Sequence, residues 1–292
     1  KKSIETVKGY NYFILIFQLL IVFVVAGVNK LTHHWLLDKE PLTSLFQSKI
    51  NVGGPAFMTN EVFTSIMVWL VLFFQFLIIP SMMLKKTRMM GVASFFIFNG
   101  FNFWLFYNTS DIGFFPLILV SFIPLFYANK LENTEKAQEL KLGGRVLTGV
   151  LSVYFLFQVV IPFRHLLYEN HVDWSGEGQR FSWRMKIVVK EIDYTFYVKE
   201  KNKDKKLSIQ IDNLLTAEQY NALLYTPDMI PNLADYLKKA VSKKGLKQVE
   251  VYSDFKVGMN GEERKTLINP EFNLSEINKE NSKISDWILP FY

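Results

Sequence analysis

The feature that most constrains this chain is a set of long apolar stretches that contain almost no charged residues. The first, residues 11–26 (NYFILIFQLLIVFVVA), carries no charge at all. About 20 helical residues cross the hydrocarbon core of a bilayer, and charges inside it are costly. Five stretches are predicted to be spanning helices: residues 10–28, 61–84, 89–107, 112–128 and 145–162. We therefore expect residues 1–162 to form a helical bundle in a lipid bilayer.

Basic residues are distributed unevenly over the connections between these stretches. They precede the first stretch and lie between the second and third, and between the fourth and fifth: Lys1, Lys2, Lys8, Lys85, Lys86, Arg88, Lys130, Lys136, Lys141 and Arg145. Connections rich in Lys and Arg stay on the cytoplasmic side of a membrane. The connection 29–60 and residues 163–292 are therefore predicted to face outward. The net charge of +6 is attributed to the basic connections that orient the helices in the membrane, and no nucleic-acid partner is expected.

Residues 163–292 have the composition of a folded extramembrane domain. Alternating β-branched and aromatic residues over 180–198 and the short stretch 207–211 predict two strands around a charged hairpin tip. Residues 227–245 place Ile230, Leu233, Leu237 and Val241 on one helical face. Asn260-Gly261 favours a tight reversing turn. The prediction for the chain is a membrane helical bundle, about five spans, followed by a small α+β extramembrane domain.

The residue content excludes several chemistries. The chain has no cysteine, so disulfides, thiol catalysis and zinc–thiolate sites are excluded. His33 and His34 are adjacent, and on a helix they would point about 100° apart. No His-Glu-x-x-His motif is present, and we expect no metal site.

Lys30 stands just beyond the first apolar stretch and has two interpretations. It could be an anchor whose stem lies along lipid while its ammonium group reaches the headgroups. It could instead be a base, because burial in an apolar environment lowers the pKa of a lysine.

Two further clusters stand out. Residues 161–186 bring Arg, His, Trp and Glu side chains together just beyond the last stretch. This is typical either of an aromatic belt at the membrane surface or of a substrate-recognition region. Asn99 and Asn102, with Gln75 on another stretch, are polar residues within membrane segments. Such residues either bind helix to helix or line a site for a polar group such as a quinone ring.

Several segments, taken together and in order, resemble the vitamin K-dependent γ-glutamyl carboxylases and their bacterial relatives, the HTTM-domain proteins. They are residues 26–42 (AGVNKLTHHWLLDKEPL), 101–127, 161–186 (IPFRHLLYENHVDWSGEGQRFSWRMK), 267–274 (LINPEFNL) and 286–291 (DWILPF). The resemblance covers most of the chain. It implies a bacterial inner-membrane protein whose C-terminal domain lies in the periplasm.

The resemblance also implies a reaction. Lys30 matches the position of the base that deprotonates a reduced vitamin K or menaquinone-type quinol, which with O2 and CO2 carboxylates a peptide glutamate. Quinol contacts are expected from Trp35, Asn99 and Asn102. Contacts to the substrate glutamate are expected from a second group of residues: His165, Trp174, Glu177, Arg180, Phe181, Ser182 and Trp183.

The chain also departs from this family. Asn29 stands where the animal enzymes have a second lysine, and Gln75 stands where an acid is common. The family has helices with a His-containing motif before this region, which we expect a preceding segment or a partner chain to supply. Three functions therefore remain open: a carboxylase, a non-catalytic membrane subunit or scaffold that binds quinone or lipid, and, less favoured, a transporter.

Overall fold

The computed structural model describes residues 9–106, 142–211, 214–225, 227, 229–278 and 283–291. The chain forms two compact units. The helical unit contains Lys1–Phe163 and Arg180–Ile187, and the sheet unit contains Arg164–Gln179 and Val188–Tyr292. Residues 180–187 thus pack with the helices although sheet-unit residues flank them in sequence. We call this segment the strap.

The helical unit contains six α-helices within the described residues. These are α1 (Gly9–Val28), α2 (His33–Leu36), α3 (Leu42–Asn51), α4 (Glu61–Met83), α5 (Arg88–Phe106) and α6 (Leu142–Val160). Over the same residues, three helical segments are long and apolar enough to cross a membrane: Glu61–Met83, Arg88–Phe106 and Gly144–Leu167. The apolar part of α1, Phe13–Val28, is shorter. A membrane helical bundle is confirmed, whereas the predicted span 112–128 lies outside the described residues.

Aromatic contacts hold α1, α4 and α5 together. Phe74 of α4 stacks on Phe98 of α5 with ring centroids 3.7 Å apart, and Phe23 of α1 meets Phe74 edge-on at 5.9 Å. At Gly27, near the end of α1, a Cβ atom would lie 2.8 Å from the ring of Phe76. The absence of a side chain at Gly27 therefore allows α1 and α4 to approach closely just before Lys30.

The outward faces of the long helices remain apolar. On α4, Val62, Ile66, Trp69 and Phe73 are each more than half exposed. A soluble protein seldom exposes so many large apolar side chains on one helix. These surfaces match the hydrocarbon of a bilayer, which is the solvent that the hydropathy pattern predicts.

The sheet unit contains one antiparallel sheet of four strands in the described residues, in the order β2-β1-β3-β4. The strands are β1 (Lys190–Glu200), β2 (Leu207–Ile209), β3 (Val249–Met259) and β4 (Lys265–Thr266). Helices α7 (Val172–Ser175), α8 (Ala217–Tyr225) and α9 (Met229–Ser242) accompany them. This confirms a small α+β arrangement.

Local patterns account for much of the sheet unit. The predicted face of α9 is buried at Ile230, Leu233 and Leu237, which pack into the same core as the strand residues. Asn260 and Gly261 have φ angles of 52° and 79°, as a tight reversing turn between β3 and β4 requires.

The strand predicted from residue 180 begins only at Lys190. Within the strap, Phe181, Trp183 and Lys186 have φ angles of 63°, 52° and 52°. Left-handed residues interrupt the alternation of side chains on which a strand depends, and each costs about 1–3 kcal/mol when it is not glycine. Contacts with the helices therefore override the strand propensity of this segment.

Candidate functional site

Lys30 lies two residues beyond the end of α1 and is buried, with only 2% of its surface exposed. Its Nζ donates hydrogen bonds to the carbonyl of Ala26 at 3.2 Å and to the carbonyl of Met185 in the strap at 3.0 Å. The amine also lies 5.2 Å from the ring centroid of Trp35. The side chain is therefore an enclosed amine and not an anchor extended along a surface.

Burial lowers the pKa of Lys30 from 10.5 to about 7, because the ammonium form loses its hydration. The positive charge of Arg184 lowers this pKa further. Near neutral pH, the side chain is therefore poised between its charged form and a neutral amine that can accept a proton.

A cavity opens beside this amine at the end of the bundle where α1 and α5 end and α4 begins. It is about 60 Å³, counted as space open to the centre of a water molecule, and one water needs about 10–15 Å³. Aromatic side chains form much of its wall: Phe23, Trp35, Phe98, Phe101 and Phe106. The cavity therefore holds several waters, or the polar edge of a flat ligand, against aromatic surfaces.

Two polar groups in the cavity wall lack partners. Trp35 Nε1 and Gln75 Oε1 are buried and form no hydrogen bond with any described residue. An unpaired buried polar group costs about 1–3 kcal/mol. A water molecule, or a ligand that both accepts and donates hydrogen bonds, would satisfy both groups.

Asn99 and Asn102 also line the cavity, three residues apart on one face of α5. The Asn99 Nδ2 donates to the Phe95 carbonyl and the Asn102 Nδ2 to the Phe98 carbonyl, each at 2.8 Å. These bonds fix the orientation of both amides.

The strap is attached to the end of α1 at adjacent positions. Asn29 Nδ2 donates to the carbonyl of Ser182 at 2.9 Å, and the next residue, Lys30, bonds to Met185. Arg184 Nη1 donates to Asn29 Oδ1 at 3.4 Å. Asn29, which departs from the animal family pattern, therefore anchors the strap.

The residues expected to bind substrate are divided between the two units. Ser182 and Trp183 belong to the strap, where Ser182 is fully buried and Trp183 is half-buried. Arg180 and Phe181 of the strap are exposed. A role for these four residues in substrate binding stays a prediction.

The other three expected residues belong to the sheet unit. Trp174 is completely buried in its core, and its Nε1 donates to the carbonyl of Leu289 at 2.7 Å. His165 is buried against Gly178, whose φ of 72° brings its backbone close to the histidine. Glu177 is half-buried in the intervening loop. Trp174 has a structural role in this core, and ligand binding by the three stays a prediction.

The two adjacent histidines are surface groups. The Nδ1 atoms of His33 and His34 lie 3.2 Å and 3.0 Å from Oδ2 of Asp38, and all three side chains are well exposed. Within the described ranges, no three His, Asp or Glu side chains are grouped so that they could hold a metal ion.

A second buried lysine belongs to the sheet unit. Burial lowers the pKa of Lys190 to about 8, and the nearby carboxylate of Asp173 acts in the opposite direction. Sequence reasoning did not single out Lys190, because residue type and spacing do not show that a lysine at the start of a strand is buried; Lys199, on the same strand, is only half-buried.

The residues present fit a quinol. A quinol is a flat aromatic ring with hydroxyl groups. The cavity has aromatic walls, an amine, two amides fixed by hydrogen bonds and two polar atoms that form no hydrogen bond with a described residue. These residues could bind the ring without a metal ligand.

Sequence reasoning identified Lys30, Trp35, Asn99 and Asn102, and the structure brings all four to this cavity. Gln75 could be recognised as a polar residue within a span. Met185 contributes its main-chain carbonyl, so its residue type carried no signal.

Two models of known protein families match the chain. The family model for the lumenal domain of vitamin K-dependent gamma-carboxylase matches residues 144–292, just over half of the chain. The HTTM domain model matches residues 1–130. No solved structure matches the chain significantly. The apolar helices and both families indicate a membrane protein with a lumenal C-terminal domain. The chain belongs to the family of HTTM-domain proteins that are homologous to vitamin K-dependent gamma-carboxylase.

Proposed function

We propose that this protein is a quinol-dependent carboxylase in which Lys30 is the base that removes a proton from the bound quinol. The observation that carries the proposal is the buried Lys30 amine in the wall of an aromatic cavity. A reduced vitamin K-type quinol, bound with O2 and CO2, would supply the chemistry that carboxylates a peptide glutamate.

The hydrogen bonds of Lys30 leave one position on its nitrogen for this role. A neutral amine has two N–H groups and one lone pair. The carbonyls of Ala26 and Met185 can accept both N–H groups, so the lone pair remains to accept a proton from a hydroxyl. After protonation, the same position is a third N–H that can donate to the resulting oxyanion.

Neighbouring residues support this use of Lys30. Arg184 lowers its pKa, which increases the fraction of neutral amine at a given pH. The strap covers the amine through Met185 and is held by Asn29. By limiting the access of water, the strap would protect a strongly basic reaction from quenching.

The second candidate is a non-catalytic membrane subunit that binds a quinone or lipid. The observation in its favour is that both Lys30 hydrogen bonds go to backbone carbonyls, one of them in the strap. In this alternative, Lys30 is a permanently charged tether, and Asn29 is a second tether.

The two candidates are separated by supplying the full-length protein in membranes with reduced quinol, O2, labelled bicarbonate and a glutamate-containing peptide. We expect label in the peptide with the wild type and none with Lys30→Ala. Lys49→Ala, which removes a half-buried lysine from the connection 29–60, is the matched control and should retain incorporation.

Lys30→Arg distinguishes a base from a tether. Arginine keeps the charge and several donors, but it is not deprotonated in proteins. If the wild type incorporates label, a base at position 30 predicts that Lys30→Arg folds and incorporates none, whereas a purely structural Lys30 predicts that Lys30→Arg incorporates label as the wild type does. Folded wild type that binds quinol but incorporates no label, with both menaquinol and phylloquinol, would support the second candidate.

A further inference from the structure

The two asparagines of the cavity present their oxygen atoms in a fixed way. If the Asn99 amide were flipped, its oxygen would face the Phe95 carbonyl oxygen at 2.8 Å, so two acceptors would oppose each other. The same holds for Asn102 and the Phe98 carbonyl. In both side chains, the oxygen is therefore turned away from the backbone carbonyl of α5 to which the nitrogen is bound.

This arrangement distinguishes ligands by what they can donate. A hydroxyl on an aromatic ring donates a hydrogen bond to an amide oxygen, whereas a ring carbonyl only accepts. A carbonyl facing either asparagine oxygen would leave two acceptors opposed and both desolvated, which is unfavourable inside a cavity.

We propose that Asn99 and Asn102 make this cavity selective for the reduced, hydroxyl-bearing form of its aromatic ligand over the oxidised, carbonyl-bearing form. The inference rests on the proposed quinol function and adds the residues that determine the redox form of the ligand. Because the asparagines lie three positions apart on one helix, their Cβ atoms are about 5–6 Å apart, and they flank one region of the cavity.

The Gln75 and Trp35 side chains do not impose the same selection. Gln75 Oε1 has no hydrogen bond to a described residue, and an amide that is not fixed through its oxygen can present either its oxygen or its nitrogen. Trp35 Nε1 is a donor, and it can donate to a hydroxyl oxygen or to a carbonyl oxygen equally well. Neutral Lys30 can also accept from a hydroxyl through its lone pair, so the share of the selection assigned to the two fixed amides is the share that their substitution removes.

The test is anaerobic equilibrium binding of 1,4-naphthoquinone and of its reduced dihydroxy form to the full-length protein in nanodiscs. One net hydrogen bond corresponds to a change of about 2- to 12-fold in affinity. We expect the wild type to bind the reduced form at least about tenfold more tightly. Since the couple involves two electrons, a tenfold preference raises the midpoint potential of the bound probe by about 30 mV.

Asn99→Leu should lower this preference about 3- to 10-fold, mainly by weakening the binding of the reduced form. Asn102→Leu, at a half-buried position, should act in the same direction and provides a second variant if Asn99→Leu does not fold. The matched control is Val71→Ala in the apolar wall, which should weaken both forms alike and leave the ratio unchanged.

Three contrary outcomes are distinguishable. Equal affinity of folded wild type for both forms would mean that the amide nitrogens contact the ring, and it would overturn this inference while leaving the quinol proposal standing. If neither form binds to folded protein, the proposed function fails as well. A preference for the reduced form that survives both asparagine substitutions would assign the selection to other residues and also overturn the inference.

Discussion

Replacing Lys30 with methionine should stabilise the protein at the same time as it removes the proposed base. The pKa of Lys30 is lowered from 10.5 to about 7, and each pKa unit corresponds to about 1.4 kcal/mol. Keeping a charged lysine in this position therefore costs about 5 kcal/mol when the amine is protonated in both the folded and unfolded states. Methionine has a similar length and no charge, so Lys30→Met removes this cost.

The substitution also removes two hydrogen bonds, to the Ala26 and Met185 carbonyls, which together contribute about 2 kcal/mol. At pH 6 we therefore expect the free energy of unfolding of Lys30→Met to exceed that of the wild type by about 3 kcal/mol. Stabilisation by loss of a functional group is expected where a site holds an unfavourable charge.

The difference in unfolding free energy between Lys30→Met and the wild type should decrease as the pH rises. The pKa of Lys30 is lower in the folded state, so between about pH 7 and 10.5 the unfolded state binds more protons and wild-type stability rises with pH. At pH 9 the remaining cost of the lysine is about 2 kcal/mol. The advantage of Lys30→Met should therefore shrink by about 3 kcal/mol between pH 6 and pH 9.

The assay is denaturant-induced unfolding of the helical unit in nanodiscs at pH 6, 7, 8 and 9, performed on the wild type and Lys30→Met. Lys49→Met removes a half-buried lysine that donates to the Trp104 carbonyl, and it controls for the loss of one positive charge and one lysine hydrogen bond. Nitrogen NMR of the Lys30 side chain would report its titration directly. A variant that is less stable than the wild type by the same amount at every pH would refute the enclosed position of the amine.

Three further predictions concern Arg184, which lies near Lys30, and two residues of the sheet unit, Trp174 and Gly178. Arg184→Met should raise the pKa of Lys30, because a nearby positive charge is lost. The rising limb of the carboxylation pH–rate profile should therefore move to higher pH. A rising limb that stays at the same pH would contradict this electrostatic role of Arg184. Trp174→Ala should lower the unfolding free energy of the sheet unit by about 3–5 kcal/mol in denaturant titrations, because Trp174 fills its core. Trp174→Phe, which keeps a ring but loses the hydrogen bond to the Leu289 carbonyl, should lower it by about 1–3 kcal/mol. Unchanged stability in both variants would argue for a binding role alone. Gly178→Ala should destabilise the sheet unit by about 1–3 kcal/mol or more. The new Cβ atom would lie 2.6 Å from the Cα of His165, and alanine would have to adopt a φ of 72°. An unchanged melting temperature in thermal unfolding would show that the loop can rearrange.

Hydropathy and local periodicity were sufficient to predict most of the helices and strands. Three predicted spans correspond to long apolar helices, and the predicted face of α9 is buried. The hairpin signals at 199–206 and at Asn260-Gly261 join antiparallel strands. These features depend on residue type and spacing over a few turns or strands, so neighbouring positions in the sequence contain the necessary information.

The strap shows where such local reasoning stops. Its residues alternate as a strand does, but Phe181, Trp183 and Lys186 adopt left-handed conformations that contacts with the helices must stabilise. Asn29 and Lys30 make those contacts with residues more than 150 positions away. A pattern read over ten residues contains no information about partners at that distance.

The sequence by itself determined that this is a membrane protein with an α+β domain and that a lysine stands beyond the first apolar helix. Only the tertiary structure decided that the lysine is enclosed, that Gln75 and Trp35 share a cavity with it, and that Trp174 fills the core of the sheet unit. The physical reason is that the transfer of a helix into lipid depends on the composition of that segment alone. The pKa of an amine depends instead on the protein groups that take the place of its hydration water when it is buried. Here one of those groups is the main-chain carbonyl of Met185, which every residue type possesses.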